Sequence, residues 1–141
     1  MAAADSDECN LIVHRGTHNF IILNRFPYTS GHLMVVPFTH APDLSAVDEA
    51  TAAEMIALVR RAERHLRAIY RPDGLNVGMN IGESAGAGIA GHIHMHVLPR
   101  WYADANFMTT IAETRVLPED LAVTWRRVSD AFAAERNRDA S

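Results

Sequence analysis

The chain has 141 residues, 48% of them hydrophobic and 21% charged, with a mean hydropathy of −0.06 and a formal net charge of −4. These values describe one ordinary domain able to bury a core, and they exclude a disordered tail, a membrane-embedded chain and a protein that grips nucleic acid through a basic surface. All 13 basic residues are arginine and Cys9 is the single cysteine, which excludes a phosphate-loop lysine, any lysine adduct, an internal disulfide and a Cys-x-x-Cys zinc knuckle.

Met1 to Glu8 is small and acidic. It lacks the basic and apolar regions of a secretory signal, so residues 1–8 are expected to be a frayed terminus, 9–141 a single domain, and the location cytoplasmic. Leu11–Val13 and Asn19–Leu23 are apolar runs on either side of Arg15-Gly16 and predict two strands joined by a turn. His14 and His18 flank that turn and are expected to be exposed. His32–Val36, stopped by Pro37, predicts a third strand buried on both faces. Asp48 is placed to cap a long helix, in which Met55, Val59, Ala62, Leu66 and Ile69 recur at three- and four-residue steps. Arg60, Arg61, Glu63, Arg64 and Arg67 fill its other side and read as a solvated face, with His65 on the surface. Pro72-Asp73-Gly74 ends the helix. Leu75–Ile81 and His92–Leu98 predict the fourth and fifth strands, and residues 118–136 a second helix carrying Leu121, Trp125, Val128 and Phe132. The order predicts an α+β domain with a mainly antiparallel five-stranded sheet, one long helix and a C-terminal helix.

Eight histidines are present, three of them in His92-Ile93-His94-Met95-His96-Val97-Leu98. Strand alternation would send Ile93, Met95 and Val97 to the core and line up the three imidazoles on one polar face. Two chemistries suit such a row. One is a metal site, but on a straight strand His92 and His96 would stand about 13 Å apart, whereas ligand nitrogens sit at about 2.0–2.1 Å from an ion. The other is an extended phosphate chain that meets different histidines at different points. The preceding loop, Gly82 to Gly91, has four glycines in ten residues and can turn backbone N–H groups toward an anion. A neutral imidazole is a nucleophile and a protonated one binds phosphate or gives up a proton. His94, with a neighbour on each side, is the expected nucleophile, through a covalent phosphoramidate.

The histidine segment resembles the His-φ-His-φ-His-φ-φ signature (φ apolar) of the histidine triad (HIT) superfamily of nucleotide hydrolases and transferases. The likeness spans roughly residues 9–120. It includes Ile22-Leu23-Asn24-Arg25, Ser30-Gly31-His32 running to Pro37, and Asn76-Val77-Gly78-Met79-Asn80. Leu98-Pro99-Arg100-Trp101 followed by Asn106-Phe107-Met108 resembles bacterial members of the fragile-histidine-triad branch, some of them diadenosine polyphosphate phosphorylases or hydrolases. The resemblance implies that His94 attacks the α-phosphate, that His96 contacts it, that His92 orients the nucleophile and that His32 is a fourth site histidine. It implies that Asn24 binds the ribose, that Asn80, Gly86 and Gly88 lie near the phosphates, and that Ile22 and Met34 flank the base. It also implies a homodimer acting on a small nucleotide, with no required cofactor, no protein-bound metal, and any Mg brought by the substrate. Many members place Gln-Ser or Gln-Thr before the triad. Here that stretch is Ala87-Gly88, three residues rather than two precede His92, and the chain contains no glutamine. A nucleotide-binding regulator with little turnover, a nucleoside phosphoramidate hydrolase and a metal-dependent hydrolase are the alternative functions.

Overall fold

Apolar residues two apart dominate three segments, and each becomes a strand with one face in the core. A computed structural model describes residues 2–88, 91–102, 104 and 118–141. Its elements are α1 (Ala2–Cys9), β1 (Ile12–Arg15), β2 (Asn19–Leu23), β3 (Leu33–Pro37), α2 (Glu49–Tyr70), β4 (Gly74–Gly78), β5 (Met95–Arg100) and α3 (Leu121–Asp139). The strands form one sheet in the order β1-β2-β3-β5-β4, and all four pairings are antiparallel. The α+β class and the five-stranded sheet agree with the sequence expectation.

α2 lies on one face of the sheet. Its stripe of Met55, Leu58, Val59, Ala62 and Leu66 packs into one core with Ile21, Leu23, Leu33, Val35 and Val97. Asp48 caps it by accepting from the Thr51 N–H at 2.8 Å. It stops at Tyr70 because Pro72 disfavours helical backbone at the residue before it, and Arg71 turns left-handed at φ 48°. α3 closes the β1 edge. Phe132 is buried, and Trp125 Nε1 donates to the Ile12 carbonyl at 2.7 Å. Among the described residues no helix is long and apolar enough to cross a membrane.

Several expectations are corrected. Residues 2–9 form α1, an element absent from the sequence expectation, and Asp7 pairs with Arg15 at 2.7 Å. β4 ends at Gly78, not Ile81. β5 starts at Met95, so His92 and His94 stand in the bend before it. The cause is long-range: Ile93 N–H donates to the Ala41 carbonyl at 2.9 Å, and His92 Nε2 to the Pro37 carbonyl at 2.7 Å. His14 is half-buried and stacks on Phe132 at 4.8 Å, and His65 is buried. The Asn106-Phe107-Met108 stretch lies outside the described residues.

The arginine face of α2 is only partly solvated. Glu135 of α3 accepts from Arg61 Nε at 3.1 Å, Arg64 Nη2 at 3.3 Å and His65 Nε2 at 2.8 Å. Burial would raise the Glu135 carboxyl, but the hydrogen bonds from His65 and Arg61 outweigh it and hold it at about 2. A carboxyl depressed from 4.5 contributes stability above its unfolded value and loses it as pH falls toward 2. Glu135→Gln should therefore cost about 1–3 kcal/mol at pH 7. In urea unfolding, the gap between variant and parent should narrow steadily below about pH 4.5.

Candidate active site

Register decides what shares a face. Ile22 of β2, Met34 of β3 and His96 of β5 are successive cross-strand partners, and Phe20 pairs with Val36 two residues along. These side chains project from the face opposite α2. With the turn after β2 and the glycine loop they enclose a cavity of about 590 Å³. Its lining includes Ile22, Asn24, Met34, Asn80, Gly86, Gly88, His92, His94 and His96, nine of the ten expected site residues. The tenth, His32, is 1% exposed and sits behind His96. Four lining residues lie outside the sequence expectation: Phe20, Phe26, Tyr28 and Val36. Phe20 and Val36 stand two residues from Ile22 and Met34 on the same strands, so strand alternation from those two positions would have found them. Phe26 and Tyr28 belong to a turn with no periodic signal, and they are 80% and 61% exposed.

Hydrogen bonds assign the imidazole tautomers. Tyr28 backbone N–H donates to His32 Nδ1 at 3.2 Å, so the proton of a neutral His32 resides on Nε2. That N–H points at His96 Nδ1, 2.8 Å away. His96 Nδ1 is then an acceptor, which places its own proton on Nε2. His94 has the opposite polarity. Its Nδ1–H donates to the His92 carbonyl at 3.2 Å, so Nε2 carries the lone pair. No group among the described residues engages that nitrogen. The His94 and His96 rings meet edge to face at 4.9 Å. The site thus sets an unprotonated nitrogen beside an N–H donor, the pairing required to attack an electrophilic centre while holding its oxygen.

Burial, reinforced by His96 and His94, lowers the His32 imidazole to about 4, and burial followed by His94 lowers His96. The relay is therefore neutral at pH 7. An NMR titration of the His32 ring should show no protonation step above about pH 5. Because the unfolded ring binds a proton near 6.5 and the folded one near 4, stability should fall as pH drops through that window. A His32 step near 6.5 would refute the assigned relay.

His92 packs on exposed His40 at 4.3 Å. Asn24 Oδ1 accepts the Phe26 N–H at 2.9 Å, and its Nδ2 approaches His32 Nε2 at 3.5 Å. Gly86 lies across from Asn80 with φ +92°. The bend before β5 removes the straight-strand geometry from which the separation of His92 and His96 was reckoned. Among the described residues, no three His, Cys, Asp or Glu side chains are grouped so as to hold an ion.

The HIT domain model matches residues 7–102. The chain belongs to the HIT domain family. This HIT protein is 42% identical over 130 residues, 92% of its own length and 67% of the relative's, to the AP-4-A phosphorylase of Mycobacterium tuberculosis strain H37Rv. Among solved structures it is similar to a Zn-bound histidine triad family protein from Mycobacterium smegmatis. That match has TM-score 0.74 and 29% identity, covering 97% of this chain and 94% of the other. It is also similar to a hypothetical histidine triad nucleotide-binding protein from Sulfolobus tokodaii, at TM-score 0.72 and 25% identity, covering 88% and 84%. The HIT family assignment and the M. tuberculosis relative support a nucleotide-acting enzyme.

Proposed function

We propose that this HIT protein is a nucleotidyl hydrolase or transferase acting on the α-phosphate of diadenosine polyphosphates, with diadenosine tetraphosphate its first test substrate. The observation that carries the reading is the opposed tautomers of His94 and His96 at the floor of one cavity. The His94 Nε2 lone pair attacks the α-phosphorus and forms a P–N bond. The P–O bond to the bridging oxygen breaks, and the nucleoside polyphosphate leaves with that electron pair and takes a proton from solvent. His96 Nε2–H holds a non-bridging oxygen, and His92 holds His94 through its carbonyl. The acceptor then displaces His94 from phosphorus. With phosphate as acceptor the products are a nucleoside diphosphate and a nucleoside triphosphate, and with water a nucleoside monophosphate replaces the diphosphate.

The apolar wall of Phe20, Ile22, Met34 and Val36 suits a base, Asn24 the ribose, and Asn80, Gly86 and Gly88 the phosphate chain. The name of the M. tuberculosis relative favours phosphate as acceptor, and the family resemblance favours a homodimer. The test is incubation with diadenosine tetraphosphate, with and without added phosphate. Phosphate-dependent release of ADP supports phosphorolysis. Phosphate-independent release of AMP assigns hydrolysis. Nucleotide affinity without turnover on either arm would overturn the enzyme reading.

A further inference from the structure

We propose that the groove between β1 and α3, on the helical side of the sheet and away from the histidine cavity, is a second binding site, for a small phosphate-class oxyanion. The groove encloses about 190 Å³ and is lined in part by Asp7, His14, Arg15, Ser129, Phe132 and Arg136. Its carboxylates are already answered. Asp7 takes both oxygens to Arg15, with contacts of 2.7, 3.1 and 3.2 Å. Neighbouring Glu135 is held by Arg61, Arg64 and His65. Two donors are not answered. Ser129 Oγ is buried and has no hydrogen-bond partner among the described residues, an arrangement that costs about 1–3 kcal/mol unless a ligand or water satisfies it. Arg136 lines the same space, and its guanidinium has no side-chain partner among the described residues.

His14 supplies a third donor. Arg61 Nη1 points at its Nε2 from 3.4 Å, which makes Nε2 the acceptor and leaves the ring proton on Nδ1. Phe132, stacked on the ring at 4.8 Å, fixes its plane. Two guanidinium groups act on this ring. Burial, then Arg61 and Arg136, lower the His14 imidazole to about 4, against weaker opposing influence from Glu135 and Glu54. A guanidinium fork, a hydroxyl and an imidazole N–H around one small space match the several acceptor oxygens of a tetrahedral anion. The volume is about a third of that of the histidine cavity, which suits a phosphate with attendant water rather than a nucleotide. The site does not depend on the reaction proposed above.

The test is an NMR titration of the intact protein with inorganic phosphate at pH 7 and constant ionic strength. The expected result is saturating shifts at the Ser129, Ala133 and Arg136 amides and the His14 ring, separate from shifts around residues 92–96. Arg136→Ala, at an exposed position in the last turns of α3, should weaken phosphate at the groove about tenfold or more and leave the shifts at 92–96 unchanged. Ser129→Ala should weaken it by a smaller factor. Phosphate shifts confined to residues 92–96, groove shifts unaltered by Arg136→Ala, or equal shifts with acetate at matched concentration would each overturn the proposal.

Discussion

His94→Ala should lower turnover of diadenosine tetraphosphate by about 10⁴-fold or more, the scale seen when a covalent nucleophile is removed. Its unfolding free energy should stay within about 1 kcal/mol of the parent, since the ring is half-exposed and its one hydrogen bond among the described residues is to a carbonyl that water can satisfy. Nucleotide affinity measured by calorimetry should survive, because the apolar wall and Asn24 are untouched. Acid-free quenching with α-labelled substrate should give a labelled protein for the parent and none for the variant. Turnover within tenfold of the parent would show that His94 Nε2 does not attack phosphorus. His96→Ala is a different experiment: it removes the proposed oxyanion donor and should cost about 10²–10³-fold, with labelling slowed rather than abolished.

Gly31→Ala should be strongly destabilising, because the added methyl group is opposed by both backbone conformation and packing. Gly31 sits at φ +82°, and an added Cβ would lie 2.8 Å from Tyr70 Cε2, 3.1 Å from Leu66 Cδ2 and 3.2 Å from Pro99 Cγ. The left-handed backbone costs about 1–2 kcal/mol for a residue with a side chain, and the overlap adds about 1–3 kcal/mol of overpacking. A total near 3 kcal/mol corresponds to a fall in Tm of about 10 °C for a domain of this size. Activity should fall further than stability accounts for, because the next residue is His32 and any backbone shift misaligns its 2.8 Å contact with His96. Gly74→Ala is the matched control. Its Cβ would meet nothing within 4 Å, and it should shift Tm by only a degree or two. Equal effects from the two substitutions would remove the steric argument.

The histidine cavity was legible in the sequence because its signals are local. The family resemblance marks Ile22 and Met34, and the triad spacing selects His92, His94 and His96, all of which line one space. The α2 stripe and the Asp48 cap were legible for the same reason. What the sequence concealed depends on distant partners. His65 is buried because Glu135, 70 residues later, receives its N–H. His14 is half-buried because Phe132 covers it. β5 starts late because Ala41 and Pro37 hold the backbone and ring of residues 92–93. Phe26 and Tyr28 reach the cavity mouth from a turn, where chain direction rather than periodicity places a side chain.

The first donor of the imidazole relay is the peptide nitrogen of residue 28, not its side chain. Every amino acid except proline supplies that group. The aromatic ring of the same residue packs on His32 at 4.7 Å and on His96 at 6.3 Å, so a substitution there keeps the donor yet changes both the cavity entrance and the burial that keeps the relay neutral. Entrance shape and imidazole protonation are in that sense coupled through one residue.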